Sequence, residues 1–249
     1  MKKVNFQIFN YLFIFSLMFL GIEQIAQAQK YEIGAGAGVA SYSGDIMRRI
    51  DPGQVGLQGT LFGKRNFDNV WSLRGGVNMA FLNAADSIKP IDQLAVLRDA
   101  RFRAGIVEIS AIMEFNFLDF LRNNSEFRWS PYAFFGLGYT FVIAKGNTYA
   151  FNRSEDYNLS TMVIPFGGGV KYRLDDRWTI ALEVGMRPTF TDYLDKIDSQ
   201  EPPVPRFQNP AAPNEPYGIN FGNPHDKDWY YFTGIMVSYV ISNTKCFAY

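Results

Sequence analysis

The stretch "EISAIMEFNF", residues 108–117, decides the fold. Taken alternately, Ile109, Ala111, Met113, Phe115 and Phe117 form one apolar row. Glu108, Ser110, Ile112, Glu114 and Asn116 form the other. Successive side chains of a strand point to opposite faces. Two carboxylates therefore share one side of a strand whose other side is built for apolar surroundings.

The same period recurs outward in both directions, between turn and loop signals. Eight strands are expected, near 30–41, 54–65, 70–82, 102–117, 131–145, 160–174, 177–188 and 228–241. In the first, Tyr31, Ile33, Ala35, Ala37 and Val39 oppose Glu32, Gly34, Gly36 and Gly38. In the second, Val55, Leu57 and Leu61 oppose Gln58, Thr60 and Lys64. In the sixth, Met162, Ile164, Phe166, Val170 and Tyr172 oppose Gly167, Gly169, Lys171 and Arg173. "NFDN" and "DDR" read as tight turns, whereas 42–53, 83–101, 146–159 and 189–227 read as long loops. The connection at 118–130 is longer than the other turns.

Short turns on one side, long loops on the other and an even strand count describe an eight-stranded antiparallel transmembrane β-barrel. In lipid every backbone polar group must pair internally, which a closed barrel achieves without an edge. The apolar rows then face lipid, and the charged rows face a narrow lumen filled by side chains. Glu32, Glu108, Glu114 and Glu183 need cations there, and Arg74, Lys171, Arg173 and Arg187 lie on the matching parity. Trp71, Trp129, Trp178 and Trp229 fall at strand ends, where an aromatic girdle belongs. A soluble barrel or sandwich would also alternate, but would bury its apolar face and expose its charged one.

The 249 residues carry 24 Lys+Arg against 24 Asp+Glu, so no strong field favours nucleic acid. With 23 Phe, 14 Tyr and 22 Gly, the composition suits strands and turns. Lys2, Lys3, the apolar run "FNYLFIFSLMFLGI" and Ala26-Gln27-Ala28 read as a signal peptide over 1–28, leaving the barrel at 29–249. The alternative is a retained membrane helix, for which the run is short.

"GAGAG" (34–38) and "GGG" (167–169) lie within strands, not before helices, so they are not read as phosphate loops. They are expected to admit bulky neighbours into the lumen or to permit curvature. His225, the only histidine, could bind metal with Asp226 and Asp228 or serve a hydrolase as base. No G-x-S-x-G motif supports the latter. No cofactor, metal, small-molecule substrate or enzymatic activity is expected. The Pro- and Asn-rich segment 198–227 is expected to form no strand or helix, as an external loop that is either disordered or docks a partner. Cys246, the only cysteine, lies in a tail at 242–249 and could pair only between chains.

The segments "YEIGAGAGVASYSGD", "FRAGIVEISAIMEFNF", "SPYAFFGLGYTF", "IPFGGGVKYRL", "EVGMRPTFTDYLD" and "DWYYFTGIMVSY" run in order from about Tyr31 to Tyr239. Together they resemble the small outer-membrane barrels of Bacteroidetes that include the PorG component of the type IX secretion system. "IPFGGGVKY" followed by "TFTDYLD" is the most specific part. The resemblance implies an outer-membrane barrel, in contact with lipid, that anchors periplasmic secretion-ring proteins or a lipoprotein. The residues available for docking would then be Phe120, Leu121, Arg122, Phe127 and Arg128 in the long turn, with Cys246 in the tail. A generic surface barrel with binding loops and a lipid-modifying enzyme are the other readings.

Overall fold

Period-two patterning becomes a ring of strands. The computed structural model describes residues 30–44, 46–47, 52–88, 90, 96, 100–120, 126–148, 153–191, 194, 204–209, 212–219 and 227–241. The signal-peptide segment, Leu121, Arg122, His225 and Cys246 with its tail lie outside them. The strands are β1 (Lys30–Ser43), β2 (Gly56–Asn66), β3 (Trp71–Ala85), β4 (Ala100–Asn116), β5 (Trp129–Thr148), β6 (Arg153–Val163), β7 (Phe166–Arg173), β8 (Trp178–Pro188), β9 (Val204–Asn209), β10 (Ala212–Ile219) and β11 (Trp229–Ile241). All pairings are antiparallel. Nine strands form one sheet in the order β4-β3-β2-β1-β11-β8-β7-β5-β6, and the β4–β5 pairing closes it.

The ring has eight staves, because β6 and β7 are one stave interrupted at Ile164-Pro165. Gly138 pairs with Val163 and Phe135 with Phe166, so the register is unchanged across the break. Gly136 N–H donates to the Pro165 carbonyl at 2.8 Å. The reciprocal bond cannot form, since proline has no N–H.

The two tight turns use the same chemistry. Asp68 Oδ1 accepts from the N–H groups of Val70 and Trp71, at 2.8 and 2.6 Å. Asp175 Oδ1 accepts from Arg177 and Trp178, both at 2.7 Å. Each aspartate stands in for a backbone carbonyl and launches a strand on a tryptophan.

Two expected loops turn out to contain strand. The segment 146–159 is mostly β5 and β6, joined across 149–152. The segment 198–227 holds the β9–β10 hairpin, contrary to the expectation of no strand there; Ile219 pairs with Val204 and Ala212 with Asn209. Its prolines are accommodated because a two-stranded ribbon leaves one edge of each strand unpaired.

The distribution of side chains is inside-out relative to a soluble barrel. Leu57 is 74% exposed and Ile143 66%, whereas Glu108 and Glu114 are 0% and 1% exposed. Aromatic rings line the ends of this apolar surface, with edge-on pairs at Trp71–Phe115 and Trp178–Tyr239.

Candidate functional site

The lumen gathers the chemistry, and its contents are layered along the barrel axis. Nearest the tight turns, β1, β2, β3, β4, β7 and β8 send Glu32, Lys64, Arg74, Glu114, Lys171 and Glu183 inward, all buried. Glu114 is the hub. Lys171 Nζ lies 2.6 Å from it, Arg74 Nε 3.2 Å and Lys64 Nζ 3.8 Å. Arg74 also grips Glu183 with both terminal nitrogens, at 2.7 and 3.1 Å. Lys64 reaches Glu32 at 2.9 Å.

Three carboxylates thus meet three cations, and neutral donors occupy the remaining lone pairs. Asn66 and Ser238 donate to Glu32 at 2.6 and 2.8 Å. Tyr132 O–H donates to Glu183 at 2.7 Å. Lys64 and Arg74 are directly opposed across β2 and β3. Such like-charge pairs are unfavourable unless anions sit between them, and Glu114 contacts both. Buried charges hold only when paired and hydrogen-bonded, a condition this layer meets.

A second layer lies further along the axis. Arg187 Nε lies 3.0 Å from Glu108, which also accepts from Asn78 at 2.8 Å and from Tyr230 at 2.6 Å. The Arg187 guanidinium stands 4.0 Å from the centre of the Phe232 ring, in cation–π contact. Beyond it the loop end of the lumen is apolar, packed with Tyr42, Ile46, Leu82, Phe102, Ile106, Val142 and Leu194. Asp228 latches that end, accepting from Tyr42 O–H and from Leu194 N–H, both at 2.7 Å.

Glycines make room for these side chains. A Cβ on Gly34 would lie 2.3 Å from the Phe62 ring, and one on Gly167 would lie 2.8 Å from the Phe134 ring. Among the described residues a void of about 20 Å³ lies between the two layers and one of about 10 Å³ within the first. Each is about the space of a single water.

Of the residues expected in the network, Glu32, Arg74, Glu108, Glu114, Lys171, Glu183 and Arg187 meet in these two layers. Arg173 shares their parity but lies half-buried at the turn end, where its N–H donates to the Arg128 carbonyl. Lys64 was not expected in the network, although its parity with Gln58 and Thr60 marked it as inward. Tyr132, Tyr230, Asn66 and Asn78 were also not expected, since alternation does not separate a polar lumenal partner from packing.

The long turn needs a correction. Phe120 is 1% exposed, so its ring is not offered to a partner. A phenyl ring taken out of water is favoured over one left facing it. Phe127 and Arg128 are exposed. Among the described residues no group of three or more His, Cys, Asp or Glu is arranged to hold a metal ion.

The chain belongs to the family described as Domain of unknown function (DUF6089), whose profile matches residues 8–249. No curated protein matches it. Among solved structures it is similar to Ail, the attachment invasion locus protein of Yersinia pestis, crystallised with the heparin analogue sucrose octasulfate. The identity is 14% over 86% of this chain and 100% of that one, with a TM-score of 0.44. It is similar to Neisserial surface protein A at 11% identity, covering 86% and 99% of the two chains, with a TM-score of 0.45. It is also similar to a major outer membrane protein from Thermus thermophilus at 12% identity, covering 86% and 100%, with a TM-score of 0.47. At these identities the likeness concerns the fold.

Proposed function

We propose that this member of the DUF6089 family is a sealed, non-catalytic outer-membrane barrel that serves as a structural anchor for a type IX protein-secretion or gliding apparatus. Its partners would be periplasmic secretion-ring proteins or a lipoprotein, met at the turn end. The observation that carries the anchor reading is the filled lumen. Among the described residues two ion-paired layers and an apolar plug fill the lumen, and the spaces beside the ion pairs are about 20 and about 10 Å³. The apolar outer face and the aromatic rims support the membrane setting, because that face is stable only where lipid replaces water. The sequence resemblance to the PorG-containing barrels supports the choice of apparatus. Phe127 and Arg128, exposed in the one long connection of the turn end, are the docking residues this reading uses.

The test is capture of the tagged barrel from membranes in mild detergent after crosslinking. Co-recovery of periplasmic ring components, lost on altering 126–128 or 242–249, is the expected result. Reproducible recovery of the barrel alone would overturn the anchor role.

A second reading is a surface barrel that binds through its loops. The β5–β6 and β9–β10 hairpins favour it, since both add ordered structure at the loop end. Loss of function on deleting 204–219, with the turn end unaltered, would select it.

A further inference from the structure

We propose that the loop-end rim of the apolar belt is a binding site for an anionic lipid, with its phosphates on Arg103 and Lys145 and an acyl chain in the cleft over Gly105. This rests on the membrane reading above. The register places Arg103 beside Asn83 on β3 and directly opposite Lys145 on β5. Arg101 follows on the same outward face. Like charges in direct cross-strand opposition are destabilising unless an anion lies between them. Among the described residues the acid paired with Lys145 is Asp156, and that pair is weak. Asp156 lies 3.8 Å from Lys145, with their side chains 70% and 76% exposed, so water and salt screen the pair.

One row nearer the barrel centre, Phe81 pairs with Gly105, and Gly105 with Ile143. Phe81 and Ile143 are exposed apolar walls. Gly105 is the floor between them. A Cβ there would have no neighbour nearer than 3.9 Å, so the glycine is not required by packing and leaves a notch on the outer face. The notch and the cations belong to one open cleft of about 840 Å³. Residues two apart on a strand are separated by about 7 Å. The cations therefore stand one headgroup's depth beyond an acyl-width slot, at the level where the belt ends.

That spacing suits an amphiphile with a phosphate at the head of its chains, and long basic side chains reach such headgroups by extending along the surface. Beyond the notch the outward row turns polar at Asn83 and Lys145, which suits a lipid, since its apolar contact is needed only below its phosphates. Commitment to a lipid therefore follows from the adjacency of charge and notch.

The test uses the folded full chain in phosphatidylcholine vesicles, alone and with lipid A as the probe. Wild type should insert into phosphatidylcholine alone and then retain lipid A. Arg103→Gln with Lys145→Gln should weaken retention roughly 30-fold, about fivefold for each cation removed. Gly105→Leu, which fills the notch but keeps both cations, should also weaken it. Dephosphorylated lipid A should lose the advantage of wild type over the double variant. Equal retention by wild type and the double variant overturns the site and leaves the membrane reading intact. Full displacement of lipid A by inorganic phosphate overturns the acyl-chain part. Failure of wild type to insert into any vesicle overturns the membrane reading and the site together.

Discussion

Arg74 on β3 and Glu183 on β8 are 109 residues apart in sequence, yet they share two hydrogen bonds across the lumen, at 2.7 and 3.1 Å. The bond spans the ring, so it depends on closure by the β4–β5 pairing and on the relative stagger of every stave between them. A double-mutant cycle on Arg74→Met and Glu183→Gln should return a coupling of about 0.5–3 kcal/mol in detergent unfolding. Additive losses would mean that the two are not in contact in the folded barrel.

Glu114 gathers Lys171, Arg74 and Lys64 within 3.8 Å. Glu114→Gln leaves those cations short of an anion, and the expected loss is about 3–5 kcal/mol. Ser87→Ala, in the exposed connection after β3, should stay within about 0.5 kcal/mol of wild type. Comparable unfolding midpoints for the two variants would argue against a stabilising role for the hub.

Two glycines should respond in opposite directions to a methyl group. On Gly169 a Cβ would lie 2.1 Å from the Leu182 carbonyl oxygen, and backbone cannot move aside cheaply. Gly169→Ala should therefore destabilise by about 1–3 kcal/mol. Gly75 faces outward with nothing within 4 Å of the same position. Gly75→Ala should be neutral or stabilising by about 0.4–1 kcal/mol, because it restricts the unfolded chain. Refolding yield and unfolding midpoint in one detergent decide both.

Phe120 and Phe127 share the long turn but not a role. Phe120→Ala removes a buried ring and should cost about 3–5 kcal/mol of stability. Phe127→Ala should leave unfolding nearly unchanged and reduce recovery of periplasmic partners. If Phe120→Ala folds as well as wild type while abolishing capture, the docking face includes Phe120 after all.

Planar-bilayer recording should show no steady conductance step for the wild-type barrel. A large, long-lived step would mean that the charged layers part to open a path, and would end the sealed-anchor reading.

Alternation made all eight staves legible, because each presents a continuous apolar row to the outside, opposite a row that mixes small, polar and apolar residues. It failed beyond the belt. In the outer parts of β5 and β6 the outward residues are Lys145, Asp156 and Asn158, which carry no apolar period, so the hairpin looks like loop in the sequence. The β9–β10 hairpin is rich in Pro and Asn and was hidden in the same way.

Sequence alone determined that Glu32, Lys64, Arg74, Glu108, Glu114, Lys171, Glu183 and Arg187 face inward, since parity along a strand is a local property. Tertiary structure alone decided which acid meets which base. Glu114 takes Lys171 and Arg74, while Arg187 goes to Glu108. Those choices follow from axial height in a closed, staggered ring, and height depends on the register of all staves at once. The same reason placed Arg173 at the rim. Local pattern sets the face of a side chain, and ring closure sets its neighbours.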